Sequence, residues 1–173
     1  MSARTGSAVL DPAELYERDF YAWTRQQARE LRRLRRVRSN TPLDLVHLAE
    51  EIEDLGNEVR NAVMSQLERL IEHLLKLEHS RLVGPRGGWA NSVDSARGEI
   101  ARRWTPTIAR KVRAALPDLY RRAMRRAARS LLDHPEPEAA AALPETCPYT
   151  LEQLLDDGWY PANRHGLPSP EAP

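Results

Sequence analysis

Residues 43–82 read LDLVHLAEEIEDLGNEVRNAVMSQLERLIEHLLKLEHSRL. Leu45, Leu48, Ile52, Leu55, Val59, Val63, Leu67, Leu70, Leu74 and Leu77 recur there every three or four residues, the spacing of one face of an α-helix. Thr41, Pro42 and Asp44 precede the run as cap, proline and acid, a helix-start signature. As one straight helix the segment would reach about 60 Å at ~1.5 Å per residue, long for a chain of 173 residues. A break or kink is therefore expected at Gly56-Asn57. Gly56 also offers a second possibility, a place where another helix passes closely.

Upstream, Asp11, Pro12 and Glu14 form another cap, proline and acid signature. Tyr16, Phe20, Trp23, Gln27, Leu31 and Leu34 then share one face of a helix expected to run to about residue 38. Arg25, Arg29, Arg32, Arg33 and Arg36 fall on its other side. Downstream, Gly84-Pro85-Arg86-Gly87-Gly88 reads as a loop and residues 90–104 as a helix. Thr105-Pro106 starts a short helix to about 115, and Pro117 another to about 132. In the latter, Tyr120, Ala123, Met124, Ala127 and Leu131 share a face opposite Arg121, Arg122, Arg125, Arg126 and Arg129. Residues 133–150 read as a Pro/Ala-rich linker. Thr150 then caps a short helix over 151–157, ended by Gly158. No strand pattern occurs. The expected fold is all-α: an up-and-down helical bundle of about four or five main helices, with a Pro-rich C-terminal strap and a short final helix. The expected layout is a disordered N-terminus over 1–9, a bundle domain over 10–132, the strap and short helix packed on it over 133–160, and a disordered tail over 161–173.

Charge is segregated along the chain although the net charge is only +1. Residues 25–38 hold seven Arg and one acid, and 44–80 hold nine acids and three basic residues. Residues 97–129 hold eleven basic residues and two acids, and 131–173 eight acids and one Arg. Cys147 is the one cysteine, so no internal disulfide can form, which fits a reducing, cytoplasmic compartment. The opening residues carry no long apolar core, so no signal peptide is expected. No apolar run is long enough to span a bilayer.

Several groups could carry chemistry. Glu50, Glu51, Glu53 and Asp54 crowd one stretch of helix and repel unless basic partners lie close. They read either as a carboxylate metal site or as an ion-paired helix face beside an Arg-rich neighbour. Di-iron bundles use Glu-x-x-His; this chain has the reverse order, His47-x-x-Glu50. No metal ligand set and no cofactor is assigned. His73, near Lys76 and His79, flanks the apolar stripe and suits a general base, a ligand, or a hydrogen-bonded interface histidine. Arg97 projects within the apolar face Val93, Ala96, Ile100 and Trp104, so it needs a partner. Glu51 and Glu53 are the expected partners, with snorkelling to water the alternative. Cys147, framed by Pro144 and Pro148, reads as part of a rigid segment that docks Cys147 and Tyr149 on the bundle. Phosphate-loop, dinucleotide-fingerprint and nucleophile-elbow signatures are absent.

Tyr16-Glu-Arg-Asp19-Phe-Tyr-Ala-Trp23, Leu48-Ala-Glu-Glu-Ile-Glu-Asp-Leu-Gly56, Leu70-Ile-Glu-His73-Leu-Leu-Lys76, Trp89, Arg97 and Pro144-Glu-Thr-Cys147-Pro-Tyr149 together resemble a bacterial family known as domain of unknown function 29, over about residues 14–160. The resemblance implies an all-helical bundle with no assigned activity. It singles out Glu50, Glu51, Glu53, Gly56, His73, Lys76, Trp89 and Arg97, with Trp89 as a plug for the loop end of the bundle. The leading functional reading is a non-enzymatic module that binds a protein partner or itself. The alternatives are a nucleic-acid-binding accessory protein using the Arg-rich faces, and a metal- or ligand-binding bundle using Glu51, Glu53 and His73. No membrane association is expected.

Overall fold

Asp19 interrupts the first expected helix. The computed structural model describes residues 11–37 and 40–170, and within them the N-terminal segment forms two helices, α1 (Pro12–Arg18) and α2 (Phe20–Arg36). The expected capping box at Asp11 does not form: the Asp11 side chain makes no capping hydrogen bond, and Glu14 pairs with Arg18 at 2.7 Å. The buried Asp19 carboxylate does the capping. Its Oδ1 accepts from the Ala22 amide at 3.0 Å, as N-cap of α2. The same oxygen accepts from the Thr105 hydroxyl at 3.0 Å, and Oδ2 from the Thr107 amide at 3.0 Å. One side chain thus serves the starts of two helices, whose first amides have no partner within the helix.

The remaining elements are α3 (Leu45–His79), α4 (Arg86–Ala101), α5 (Pro106–Asp133), α6 (Pro137–Ala141) and α7 (Leu151–Leu155). Among the described residues there is no strand. The chain is all-α. The chain divides into two compact units: Met1–Arg60 with Thr105–Ile108, and Asn61–Trp104 with Ala109–Pro173. The expectation of disorder over 1–9 falls outside the described residues.

In the first unit, α3 does not break at Gly56. A Cβ there would lie 2.1 Å from Thr24 Oγ1 and 3.1 Å from Thr24 Cβ, so the glycine is needed for close approach and not for flexibility. Thr24 is fully buried, and its hydroxyl turns back to the Tyr21 carbonyl at 2.9 Å. Thr24 meets Gly56, Arg25 and Arg32 reach Glu53, and Arg36 lies by Val46 and Glu50. Numbers rise on α2 as they fall on α3, so the two helices form an antiparallel hairpin.

In the second unit, the apolar stripe read from the sequence is the core. Val63, Leu67, Leu70, Leu74 and Leu77 of α3 are fully buried, as are Val93 and Ala96 of α4 and Val112, Leu119 and Ala123 of α5. Pro117 does not start a new helix; α5 runs through it, carried by the buried residues on either side. The expected loop over 84–88 is shorter, because α4 begins at Arg86. Arg86 is buried and donates to the Leu77 carbonyl at 2.9 Å and the Pro168 carbonyl at 3.0 Å, which anchors the first turn. The Pro/Ala-rich linker contains α6, and the last helix stops at Leu155. Thr150 caps it in a full capping box with Gln153. Residues 161–170, expected as tail, run against the end of α3. Asn163 donates to the carbonyls of Leu77, Glu78 and Ser80 at 2.8, 3.2 and 2.9 Å. The polar composition that suggested disorder instead serves carbonyls that a helix end leaves unpaired.

Substituting Gly56→Ala forces the hairpin apart and is expected to cost about 1–3 kcal/mol of stability. The same change made in a Thr24→Ala background should cost clearly less, since the nearest clashing atom is gone. Urea denaturation of the four proteins of this cycle measures the difference, and equal costs in both backgrounds would refute the close-approach account.

Candidate functional site

The residues singled out by the sequence fall into both units. Trp23, Glu50, Glu51, Glu53 and Gly56 belong to the first; His73, Lys76, Trp89, Arg97, Cys147 and Tyr149 belong to the second.

In the first unit, Glu53 is the ion-paired acid. It binds both Arg25 and Arg32, the latter at 2.6 Å. Glu50 and Glu51 are exposed. The crowded carboxylates lie on the acidic helix of a hairpin whose other helix is basic, with Glu53 paired across it. Among the described residues no group of three or more His, Cys, Asp or Glu is arranged to hold a metal ion.

Glu53 also fixes which side of the hairpin is which. Arg25 and Arg32, seven residues apart, occupy one flank of α2 and reach the same flank of α3. The opposite flanks carry Phe20, Trp23 and Leu34 on α2, and Leu48, Ile52, Leu55 and Val59 on α3, from the 3.6-residue period. None of these side chains is fully buried. Leu34, Leu48 and Leu55 are 41%, 38% and 49% exposed. Trp23 packs in an aromatic group with Tyr16 and Phe20, at centroid distances of 4.9 and 5.7 Å. Six of the eight large apolar side chains that are exposed among the described residues lie in this unit: Tyr16, Leu34, Val37, Leu43, Leu48 and Leu55.

In the second unit, Arg97 is almost fully buried, as its position in the apolar face of α4 required. Its partners correct the sequence expectation. Instead of Glu51 or Glu53, the guanidinium donates to four backbone carbonyls: Leu154 at 3.1 Å, Asp157 at 3.4 Å, Gln153 at 3.4 Å and Trp159 at 2.7 Å. The Tyr160 ring lies 5.2 Å from it. A helix of five residues leaves nearly all its carbonyls unpaired, and the guanidinium fork supplies donors at the negative end of its dipole. Burial lowers the Arg97 pKa from its ordinary value, opposed by nearby Tyr160 and Asp94.

Lys76 is buried, pairs with Glu72 at 3.0 Å and lies 5.4 Å from the centroid of the buried Trp89 ring. Trp89 thus covers the ammonium from the first turn of α4. His73 Nδ1 and both ring nitrogens of His79 are buried without a hydrogen-bond partner. Burial, aided by Lys76, lowers the His73 pKa to about 4, and burial lowers that of His79. Both rings are neutral near pH 7 and sit in the wall of the core.

Tyr149 is buried, donates to Glu78 at 2.7 Å and meets Trp159 edge-on at 5.5 Å. Burial, with Glu78 beside it, raises its pKa. Tyr120 donates to the Pro144 carbonyl, and burial pushes its pKa up to about 12. The half-buried Cys147 thiol, whose pKa burial also raises, faces the Tyr149 carbonyl at 3.5 Å. The segment 144–149 is docked through its two ends. Asp19, Glu68, Glu78, Arg86 and Asn163 were not singled out by the sequence reading. Glu68 had a visible signal, an acid placed between Leu67 and Leu70.

This arrangement defines an all-α protein in which four buried polar side chains, Asp19, Arg86, Arg97 and Asn163, bind helix ends. The chain belongs to the family described as domain of unknown function DUF29, whose model matches residues 15–160. Among solved structures it is similar to an alpha-helical protein of unknown function from Rhodospirillum rubrum, with a TM-score of 0.73 and 29% identity, over 82% of this chain and 89% of that one. No curated protein matches. No helix among the described residues is long and apolar enough to cross a membrane.

Replacing Arg97 by Lys keeps the charge but cannot span four carbonyls. Arg97→Lys and Arg97→Met are both expected to lose about 2–4 kcal/mol in denaturant titrations. A wild-type midpoint for Arg97→Lys would show that charge alone suffices. For His73, the unfolded chain binds a proton between its ordinary pKa of 6.5 and the folded value of about 4, so stability falls as the pH is lowered through that window. Thermal melting followed across this range should be less pH-dependent in His73→Leu, with the part due to His79 remaining.

Proposed function

We propose that the chain is a non-enzymatic self-association module, in which the α2–α3 hairpin pairs with the same hairpin of a second copy. The observation that carries this reading is the half-exposed apolar flank formed by Phe20, Trp23, Leu34, Leu48, Ile52 and Leu55. Such a patch, rimmed by charge, is the usual mark of an interaction surface. The choice of a second copy rests on the opposite charge of the two helices. α2 carries exposed Arg29, Arg32, Arg33, Arg35 and Arg36, and α3 exposed Glu50, Glu51, Asp54 and Glu58. A twofold arrangement that lays α2 of each copy along α3 of the other sets a basic helix against an acidic one twice while the apolar flanks face each other. Two hairpins packed in this way make a four-helix bundle.

Sedimentation equilibrium on the full chain tests it. A dimer that dissociates on dilution is expected, with Leu48→Arg/Leu55→Arg weakening association at least about 100-fold and leaving the helical circular dichroism unchanged. A strictly monomeric wild type would overturn self-association, as would a dimer indifferent to the double substitution.

A further inference from the structure

The basic residues of α5 form a built feature of a different kind. Arg122, Arg125, Arg126 and Arg129 follow one another at i, i+3, i+4 and i+7, so they share one side of the helix. Together they line a cavity of about 290 Å³. Four like charges this close repel, and a fold that needed only a soluble surface would gain by dispersing them. Instead two of them are held. Glu68 of α3 is 7% exposed. Its Oε1 accepts from Arg122 Nε at 2.7 Å and from the terminal nitrogen of the same guanidinium at 2.6 Å. Its Oε2 lies 3.3 Å from Arg126. A buried carboxylate on a neighbouring helix thus fixes two guanidinium groups in place, with the remaining donors left to face outward. Arg125 and Arg129 flank them and have no carboxylate partner among the described residues. Lys111 lies on the same line, three helical turns before Arg122. Asp118 falls between and is paired with Arg121.

We infer that this stripe is a binding site for the phosphates of a nucleic-acid duplex. Guanidinium groups match phosphate oxygens in charge and geometry. A row of them, part of it held rigid, fits a line of phosphodiesters better than a single anion. The cavity lining contains no aromatic ring, so base stacking, the usual source of single-strand affinity, is missing. Phosphates repeat along a duplex whatever its sequence, so a row that engages them binds through the backbone without sequence preference. The stripe is separate from the hairpin flank proposed for self-association and does not depend on it.

Fluorescence anisotropy with a labelled mixed-sequence DNA duplex tests the site on the full chain. With four phosphates engaged, affinity should fall by about 150-fold between roughly 50 and 200 mM salt, and by only about 12-fold in Arg125→Gln/Arg129→Gln, which removes two contacts. Both substituted side chains are exposed, so the double variant should melt as the wild type does. Arg102→Gln/Arg103→Gln, at the end of α4, should leave the salt dependence unchanged. Absence of binding at the lower salt would overturn the inference. So would an unchanged slope in the α5 variant, a reduced slope in the α4 variant instead, tighter binding of the single strand, or binding of inorganic pyrophosphate without the duplex.

Discussion

A helix that stops inside a protein leaves amides at one end and carbonyls at the other with nothing to bind, and this chain depends on how that demand is met. Four buried polar side chains meet it. Asp19 takes the amides at the starts of α2 and α5. Arg97 holds the carbonyls in and after α7. Arg86 and Asn163 both reach the Leu77 carbonyl near the end of α3. Each would be costly in an apolar interior if left unpaired. Each also ties together segments far apart in sequence, so the same bonds that satisfy the backbone locate the connections.

That pattern explains what could be read from the residues and what could not. The stripe from Val63 to Leu77 is core because a 3.6-residue period leaves it no other use, and Arg97 announced a need for a partner by standing among Val93, Ala96 and Ile100. The partner was not legible. A carboxylate is the simplest counter-group to expect, whereas the actual acceptors are carbonyls whose availability depends on α7 being five residues long. Gly56 was legible as special, but its two possible roles were opposite, a bend or a close contact. The choice lay with Thr24 on another helix. Pro117 and the polar stretch after Pro161 misled for a common reason: local preference is weak when buried residues on either side hold the segment in place.

The two outward surfaces divide the work differently from the interior. On the α2–α3 hairpin, apolar side chains are left half-covered while the opposite flank is closed by the Arg25, Arg32 and Glu53 ion pairs. On α5, positive charge is concentrated and partly immobilised by Glu68. Neither arrangement is what stability alone favours, since dispersed charge and covered leucines would serve a folded monomer better. His73 and Lys76, by contrast, are absorbed into the core wall, one neutral through burial and the other held between Glu72 and Trp89.

The Asn163 contacts have a consequence for the order of events during synthesis. The amide that closes the carbonyl end of α3 is encoded 86 residues after Leu77. A ribosome therefore releases α3, the longest helix among the described residues, well before it releases the group that finishes it. Until Asn163 emerges, Leu77 has only Arg86 as a side-chain donor, and the Glu78 and Ser80 carbonyls lack the amide that later serves them. The nascent α3 is then frayed at its newest end while its older, first-unit end can already be folded. Maturation of the second unit is gated by translation of a short polar segment that composition alone would mark as dispensable.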